Sequence, residues 1–423
     1  MRKILLLLSL IPLLTLAQGT TPLEQLKSEP RKAYGTDYPY PMKEVWLTPA
    51  PRGYKPFYIS HYGRHGSRYY WNNHLYKELD TLLTEAHTKH LLTADGEVFY
   101  SKFLDAKYDM ITKCTELSDL GWEQHQYIAR TMYNNFRDVF RHGGNVLAIS
   151  SLSGRCVISM ASFCEELKQC NPNIEIREQS SRSTLDGVVP DDKQNPLKKD
   201  FAEQRPRFEN NRNLFHNNDS LPQTIIRRVF TTTEGLPGDM RQISGNLINL
   251  YTSLPSIGHE GMMGNIISDE EIAARWENEN LGTYTWLFTS RNKMSPIVRD
   301  ILTKAEDVIS GKSTRIADLR FGHDACLGPV TLLLGVNGSD LDPEDPYKVK
   351  DCYQNWMTCK ASNLQFVFYR DKRGQDILVK CLLNGSEASL PLQTDNYPYY
   401  KWQDFRKFCL DRLAQAQKNI VEN

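Results

Sequence analysis

The stretch KPFYISHYGRHGSR, Lys55 to Arg68, sets the reading of the whole chain. Its first half is aromatic and β-branched and predicts a short strand. Its second half crowds His61, Arg64, His65 and Arg68 into a loop containing Gly66. The chain as a whole has 51 Lys+Arg against 51 Asp+Glu, so this concentration of positive charge is local.

Two further segments repeat the pattern of β-prone run, polar loop and helical periodicity. NVLAIS (Asn145 to Ser150) leads into SLSGR and then CVISMASFCEEL, where Val157, Met160, Phe163, Cys164 and Leu167 recur at three and four residues. IADLRFG (Ile316 to Gly322) leads into HDACLGPVTLLLGV. Strand, loop and helix in succession predict an α/β fold, a mostly parallel sheet flanked by helices. Ligands bind such sheets beyond the carboxyl ends of the strands. All three loops then open onto one crevice, and a loop that begins a helix offers unpaired N–H groups and a positive dipole end to an anion.

Around these units the chain divides. Residues 1–17 read as a cleaved signal peptide: Arg2 and Lys3 precede about a dozen apolar residues that close on small ones near Ala17. The run is shorter than a spanning helix needs. A periplasmic or secreted protein without a membrane span is expected. Removing it leaves 49 basic residues against 51 acidic ones, which gives no general attraction to nucleic acid. Residues 22–170 and 313–423 read as the α/β core, and 171–312 as a mainly helical inserted cap. DEEIAARWENENLGTYTWLF and MSPIVRDILTKAEDVI in the cap have helical spacing. LQFVFYRD and ILVKCLLN read as a hairpin through KRGQD, and the stretch from Tyr399 to Gln417 as a closing helix. Nine cysteines leave at least one thiol unpaired. Cys352 and Cys359 form the first candidate disulfide, whereas Cys156, Cys164 and Cys326 lie in apolar helical patterns and read as buried thiols.

Arginine presents a planar fork of donors that matches phosphate oxygens, and Gly66 lets backbone approach a ligand closely. A histidine between two guanidiniums is driven toward its neutral form, and neutral imidazole is a nucleophile able to carry a phosphoryl group. The interval from His61 to His65 does not read as a helical metal pair, because a glycine intervenes and a strand precedes it, so His61 reads as a residue that supports the site from behind or simply packs. SDLDPEDP (Ser339 to Pro346) reads as a solvated turn, and no cysteine is followed six residues later by arginine, as cysteine phosphatases require.

Arg64, His65, Gly66 and Arg68 resemble the RHGxRxP signature of the histidine phosphatase superfamily, in its histidine acid phosphatase branch. The chain departs from it at Tyr70, where the family has proline. SSLSGRCVISMASF resembles the segment that supplies a third phosphate-binding arginine, which implies that role for Arg155. FGHDACLGP resembles the HD motif, which implies phosphate binding by His323 and proton donation by Asp324. ELSDLGWEQ (Glu116 to Gln124) resembles the family's helix start between the first two motifs. Within the branch the chain looks most like multiple inositol polyphosphate phosphatases, although these read HAE where this chain reads His323-Asp324-Ala325. The resemblance implies an enzyme that needs no cofactor and acts on a small phosphorylated molecule. Arg64, Arg68, Arg155 and His323 grip the phosphate, His65 attacks it, and Asp324 serves as acid and then base. Phytate and related inositol polyphosphates are the implied substrates. Sugar phosphates hydrolysed by a broader acid phosphatase, or a phosphate- or glycan-binding protein without turnover, are the alternatives. Lys198, Lys199, Arg205 and Arg207 read first as a solvated basic face.

Overall fold

The computed structural model describes residues 20–190 and 219–421. Its centre is an eight-stranded mixed sheet. The strands are β1 (Lys55–Arg64), β2 (Gly144–Ser150), β3 (Ile174–Gln179), β4 (Arg315–Gly322), β5 (Asn363–Arg370), β6 (Ile377–Leu383), β7 (Ser386–Glu387) and β8 (Tyr399–Lys401). They are ordered β3-β2-β4-β1-β5-β6-β7, and β8 also pairs with β6. The first four are mutually parallel, whereas β5 runs antiparallel to β1 and begins the expected hairpin with β6. Arg64 pairs with Gly322 and Ser150 with Phe321, so the three polar loops leave the sheet side by side at its carboxyl edge.

Alternation along β1 sends Tyr58 and Tyr62 to one face and Ile59 and His61 to the other. Helices α1 (His74–Thr88), α2 (Ala94–Thr112), α3 (Asp119–Asn135) and α4 (Gly154–Cys170) follow in the chain. Met132 of α3 and Phe163 and Leu167 of α4 bury the Ile59 face with Phe321. Helices α5 (Leu221–Val229) and α6 (Met240–Ser253) pack on α1 and α2. The Thr93 N–H donates to Val229 O, and Thr231 N–H to Leu91 O, which joins the two helical pairs. Next come α7 (Trp276–Ser290), α8 (Ser295–Ile309), α9 (Asp324–Leu333) and α10 (Trp402–Val421). Ile297 and Ile301 of α8 and Phe405 of α10 cover the opposite face, against Tyr58, Tyr62, Phe366 and Phe368.

Several elements differ from the sequence reading. Ile174–Gln179, placed in the cap, pairs with β2: its Ile-Glu-Ile alternation has the period of a strand buried on one face. Helix α8, also placed in the cap, lies on the sheet, where Asp300 takes two hydrogen bonds from the buried Arg320 of β4 at 2.8 and 2.6 Å. The segment DEEIAARWENENLGTYTWLF is broken at Arg275 between Asp269–Ala274 and α7. Tyr399–Lys401 extends as β8 before the closing helix starts.

All nine cysteines are free thiols, which corrects the candidate pair Cys352–Cys359. Cys352 ends a short helix and turns its Sγ to the carbonyl of Val349, 3.4 Å away. In the Ser339–Pro346 turn, Asp340 pairs with Arg412, and the Asp345 side chain accepts from Tyr347 N–H. Among the described residues no helix is long and apolar enough to cross a membrane. The expected leader at residues 1–17 and the basic residues Lys198, Lys199, Arg205 and Arg207 lie outside the described residues.

Candidate active site

The loop after β1 is pressed against the start of α3. A Cβ on Gly66 would sit 2.4 Å from Gly121 O, and one on Gly121 would sit 2.1 Å from Ser67 O, so both positions exclude a side chain. Ser118 caps α3 by accepting from Gly121 N–H at 3.3 Å, and its own N–H donates to Ser67 O at 3.0 Å. Gly66 N–H donates to Ser159 Oγ, and Ser67 N–H to Gln124 Oε1. Arg64 N–H donates to Ser362 O and His65 N–H to Gly322 O, while His65 O accepts from Ala361 N–H at 2.9 Å. The backbone of the loop is thus fixed by four neighbouring segments. Tyr70 occupies the proline position of the signature, and its N–H donates to Tyr76 Oη at 2.9 Å, a bond that proline could not make.

This frame fixes the tautomer of His65. Its Nδ1 lies 2.9 Å from Gly66 O, and a carbonyl can only accept, so Nδ1 carries the proton and Nε2 the lone pair. Burial pushes the His65 pKa well below the ordinary imidazole range, and the charges of Arg64, Arg68, Lys360 and Arg155 push it further. The ring of His323 stands 5.6 Å away, at 72° to it. Arg155, at the start of α4, places Nη2 3.5 Å from His323 Nδ1, and Ser151 Oγ lies 3.1 Å from His323 Nε2. An arginine only donates, so His323 accepts at Nδ1 and donates from Nε2 to Ser151. Burial, with Arg155 next, lowers its pKa to about 4.

Arg64 is 1% exposed and fully engaged at its tip. Nη1 donates to Thr36 O at 2.5 Å and Thr358 O at 2.7 Å, and Nη2 lies 3.0 Å from Asp324 Oδ2. Asp324 begins α9. Burial alone would raise its pKa, but Arg64, Lys360, Arg68 and the Ala325 N–H outweigh that and bring it to about 2. Arg68 donates from Nη1 to Tyr69 O. The Nε donors of Arg64, Arg68 and Arg155 are all buried without an acceptor in the protein. Buried donors are nearly always satisfied, so three orphaned guanidinium N–H groups around one imidazole mark a place for an anion.

The six expected site residues, Arg64, His65, Arg68, Arg155, His323 and Asp324, are therefore drawn into one cluster. His61 is not among them. It is buried between Phe163 and Phe321, with ring centroids 5.3 and 5.7 Å away, as a packing residue should be. Two charged residues of the cluster went unnoticed in the sequence. Lys360 is 1% exposed, and its Nζ lies 2.5 Å from Asp37 Oδ1. Burial, with Arg68 next, lowers its pKa to about 7. Neither residue sits in a periodic segment or a recognisable motif, so no local signal announced it.

No family model matches the chain, and no curated protein matches it. Solved structures do. The multiple inositol polyphosphate phosphatase of Bifidobacterium longum in complex with phosphate is 16% identical, with a TM-score of 0.73 over 90% of this chain and 98% of that one. The same protein in complex with inositol hexasulfate is 17% identical, with a TM-score of 0.70 over 89% and 97%. The phytase from D. castellii is 14% identical, with a TM-score of 0.67 over 91% and 85%. The chain shares the fold of these proteins, as its α/β reading expected.

Proposed function

We propose that this chain is a histidine acid phosphatase that hydrolyses phosphomonoesters, inositol polyphosphates among them, through a phosphohistidine. The observation that carries the reading is the His65 imidazole, neutral and protonated at Nδ1, among three guanidiniums with unsatisfied donors. His65 Nε2 attacks phosphorus in line, the P–N bond forms, and the ester P–O bond breaks as Asp324 passes a proton to the leaving oxygen. The free site holds Asp324 ionised. A phosphomonoester arriving as a monoanion brings the needed proton, and its negative charge offsets the pull of Arg64 on the carboxylate. Water then attacks phosphorus, Asp324 takes its proton, and the P–N bond breaks to release inorganic phosphate and restore the lone pair on Nε2. Arg64, Arg68, Arg155 and His323 stabilise the charge on the transferring group.

The structurally similar proteins, a multiple inositol polyphosphate phosphatase and a phytase, support the choice of substrate. The experiment is phosphate release from phytate and from glucose 1-phosphate by the purified protein and its His65→Ala variant. Phytate turnover that vanishes in the variant, with an acid-labile, base-stable phosphoryl label on the unaltered protein, is the expected result. Undiminished activity of the variant would overturn the mechanism, and preference for glucose 1-phosphate would overturn the substrate.

A further inference from the structure

The chain commits a lysine, an aspartate and an uncommon backbone conformation to the floor of this site, and the two-step reaction uses none of them. Lys360 lies in the bend between Trp356 and β5. Its N–H donates to Tyr38 O at 2.9 Å, and the next residue, Ala361, donates to His65 O. Ala361 is fully buried at φ 55, a left-handed conformation that alanine seldom adopts. Backbone held this way is strained and persists where surrounding contacts impose it. The Lys360 side chain turns inward, where Asp37 meets it. The residue before Asp37, Thr36, supplies the carbonyl that anchors Arg64. The pair is therefore stitched to both residues that begin the motif.

We propose that Lys360, held by Asp37, is a further anion-binding residue of the proposed phosphatase site, adding a positive charge that strengthens the grip on a bound anion. The inference rests on the phosphatase reading and deepens it. Burying an ammonium beside two guanidiniums is unfavourable unless negative charge compensates it. Asp37 compensates in part, and a bound phosphoryl group supplies the remainder. The charged groups facing Lys360 are Asp37, Arg64, Arg68, His65 and Asp324, with the Cys359 thiol on its own segment. His65 is held well below its ordinary range, Asp324 at about 2, and the Cys359 thiol is pushed up to about 12. Lys360, lowered to about 7, is the member of this group that changes charge near neutrality. With Lys360 lowered toward neutrality, the empty site should lose positive charge as pH rises from 6 to 8.5.

Inorganic sulfate is the suitable probe, because it stays a dianion across this range whereas phosphate titrates near neutrality itself. Sulfate affinity of the full chain, measured by calorimetry, should fall at least ~10-fold between pH 6 and 8.5, the worth of one charge-assisted bond. In Lys360→Met it should be weak and nearly flat with pH. Lys360→Arg should keep at pH 8.5 the affinity that the wild type shows at pH 6, since a guanidinium does not titrate there. Asp37→Asn should move the fall to lower pH, because the ammonium loses its counter-charge. A merely structural lysine would not move that midpoint. An unchanged pH dependence in Lys360→Met overturns the proposal. If that variant fails to fold, an unmoved midpoint in Asp37→Asn overturns it. Wild-type protein that binds sulfate and hydrolyses phytate while showing neither effect refutes Lys360 alone. Absence of both binding and hydrolysis refutes the phosphatase reading with it.

Discussion

At the scale of the residue, charge decides what each group can do. Asp324 and Asp37 are the two carboxylates of the site, with side chains 26% and 28% exposed, and they have different partners. Asp324 answers to Arg64, which also leans on two backbone carbonyls, and it is the proposed proton donor and acceptor. Asp324→Asn should lower turnover of alkyl esters such as phytate by roughly 10²–10⁴-fold. With p-nitrophenyl phosphate, whose leaving group needs little protonation, the loss should be far smaller. Equal losses on the two substrates in steady-state assays would remove Asp324 from the acid role. The sequence made Arg64, His65 and Arg68 legible because they occupy one loop, and the HD and SGR loops could be read beside it. Lys360 and Asp37 stand 323 positions apart, each without a pattern around it, and only the folded chain makes them a pair.

At the scale of the element, the loop after β1 owes its shape to the helix behind it. Gly121→Ala would drive a methyl group into Ser67 O, which is backbone and cannot swing aside. The expected result is a lowered melting temperature together with loss of phosphatase activity, because the loop carrying His65 must retreat. Circular dichroism melts and assays of one preparation test it; a variant with unaltered activity would show the contact to be slack. Ser118→Ala removes the cap of the same helix and should cost about 1 kcal/mol in chemical denaturation. Elements with long uniform patterns were readable in sequence, as β1, α4 and the β5–β6 hairpin were. β3 was not, because its alternation spans barely four residues before Ser180 and Ser181 end it. The break at Arg275 was hidden by helical spacing that continues on both sides of it.

At the scale of the whole molecule, two buried features set stability. Arg320 is fully buried and joins β4 to α8 through Asp300, with a third bond to Ser60 Oγ at 3.0 Å. Asp300→Ala strands that guanidinium and should cost ~3–5 kcal/mol in denaturant unfolding. His61 and His125 are held at about 3 by burial, whereas an unfolded chain protonates histidine near 6.5. The unfolded state therefore binds more protons between those values, and stability falls as pH drops through that window. Each histidine should account for roughly 2 kcal/mol of loss at pH 5. Melting temperatures at pH 7.5 and 5 should show the fall, and His61→Leu should lessen it. A pH-independent melt would mean that these rings accept protons inside the fold. The α/β class was legible from three repeated strand-loop-helix units. The packing of α8 on the sheet was not, since an amphipathic pattern says that a helix covers something without saying what.

The position of β1 in the sheet has a further consequence. Both of its neighbours, β4 and β5, are drawn from residues beyond 314. While the ribosome works through the intervening chain, β1 waits with both edges unsatisfied, on the order of ten seconds or more at ordinary elongation rates. The strand that leads to the proposed nucleophile is thus among the first made and among the last to be paired. A polypeptide released before residue 370 would expose one or both of its edges to any aggregating partner.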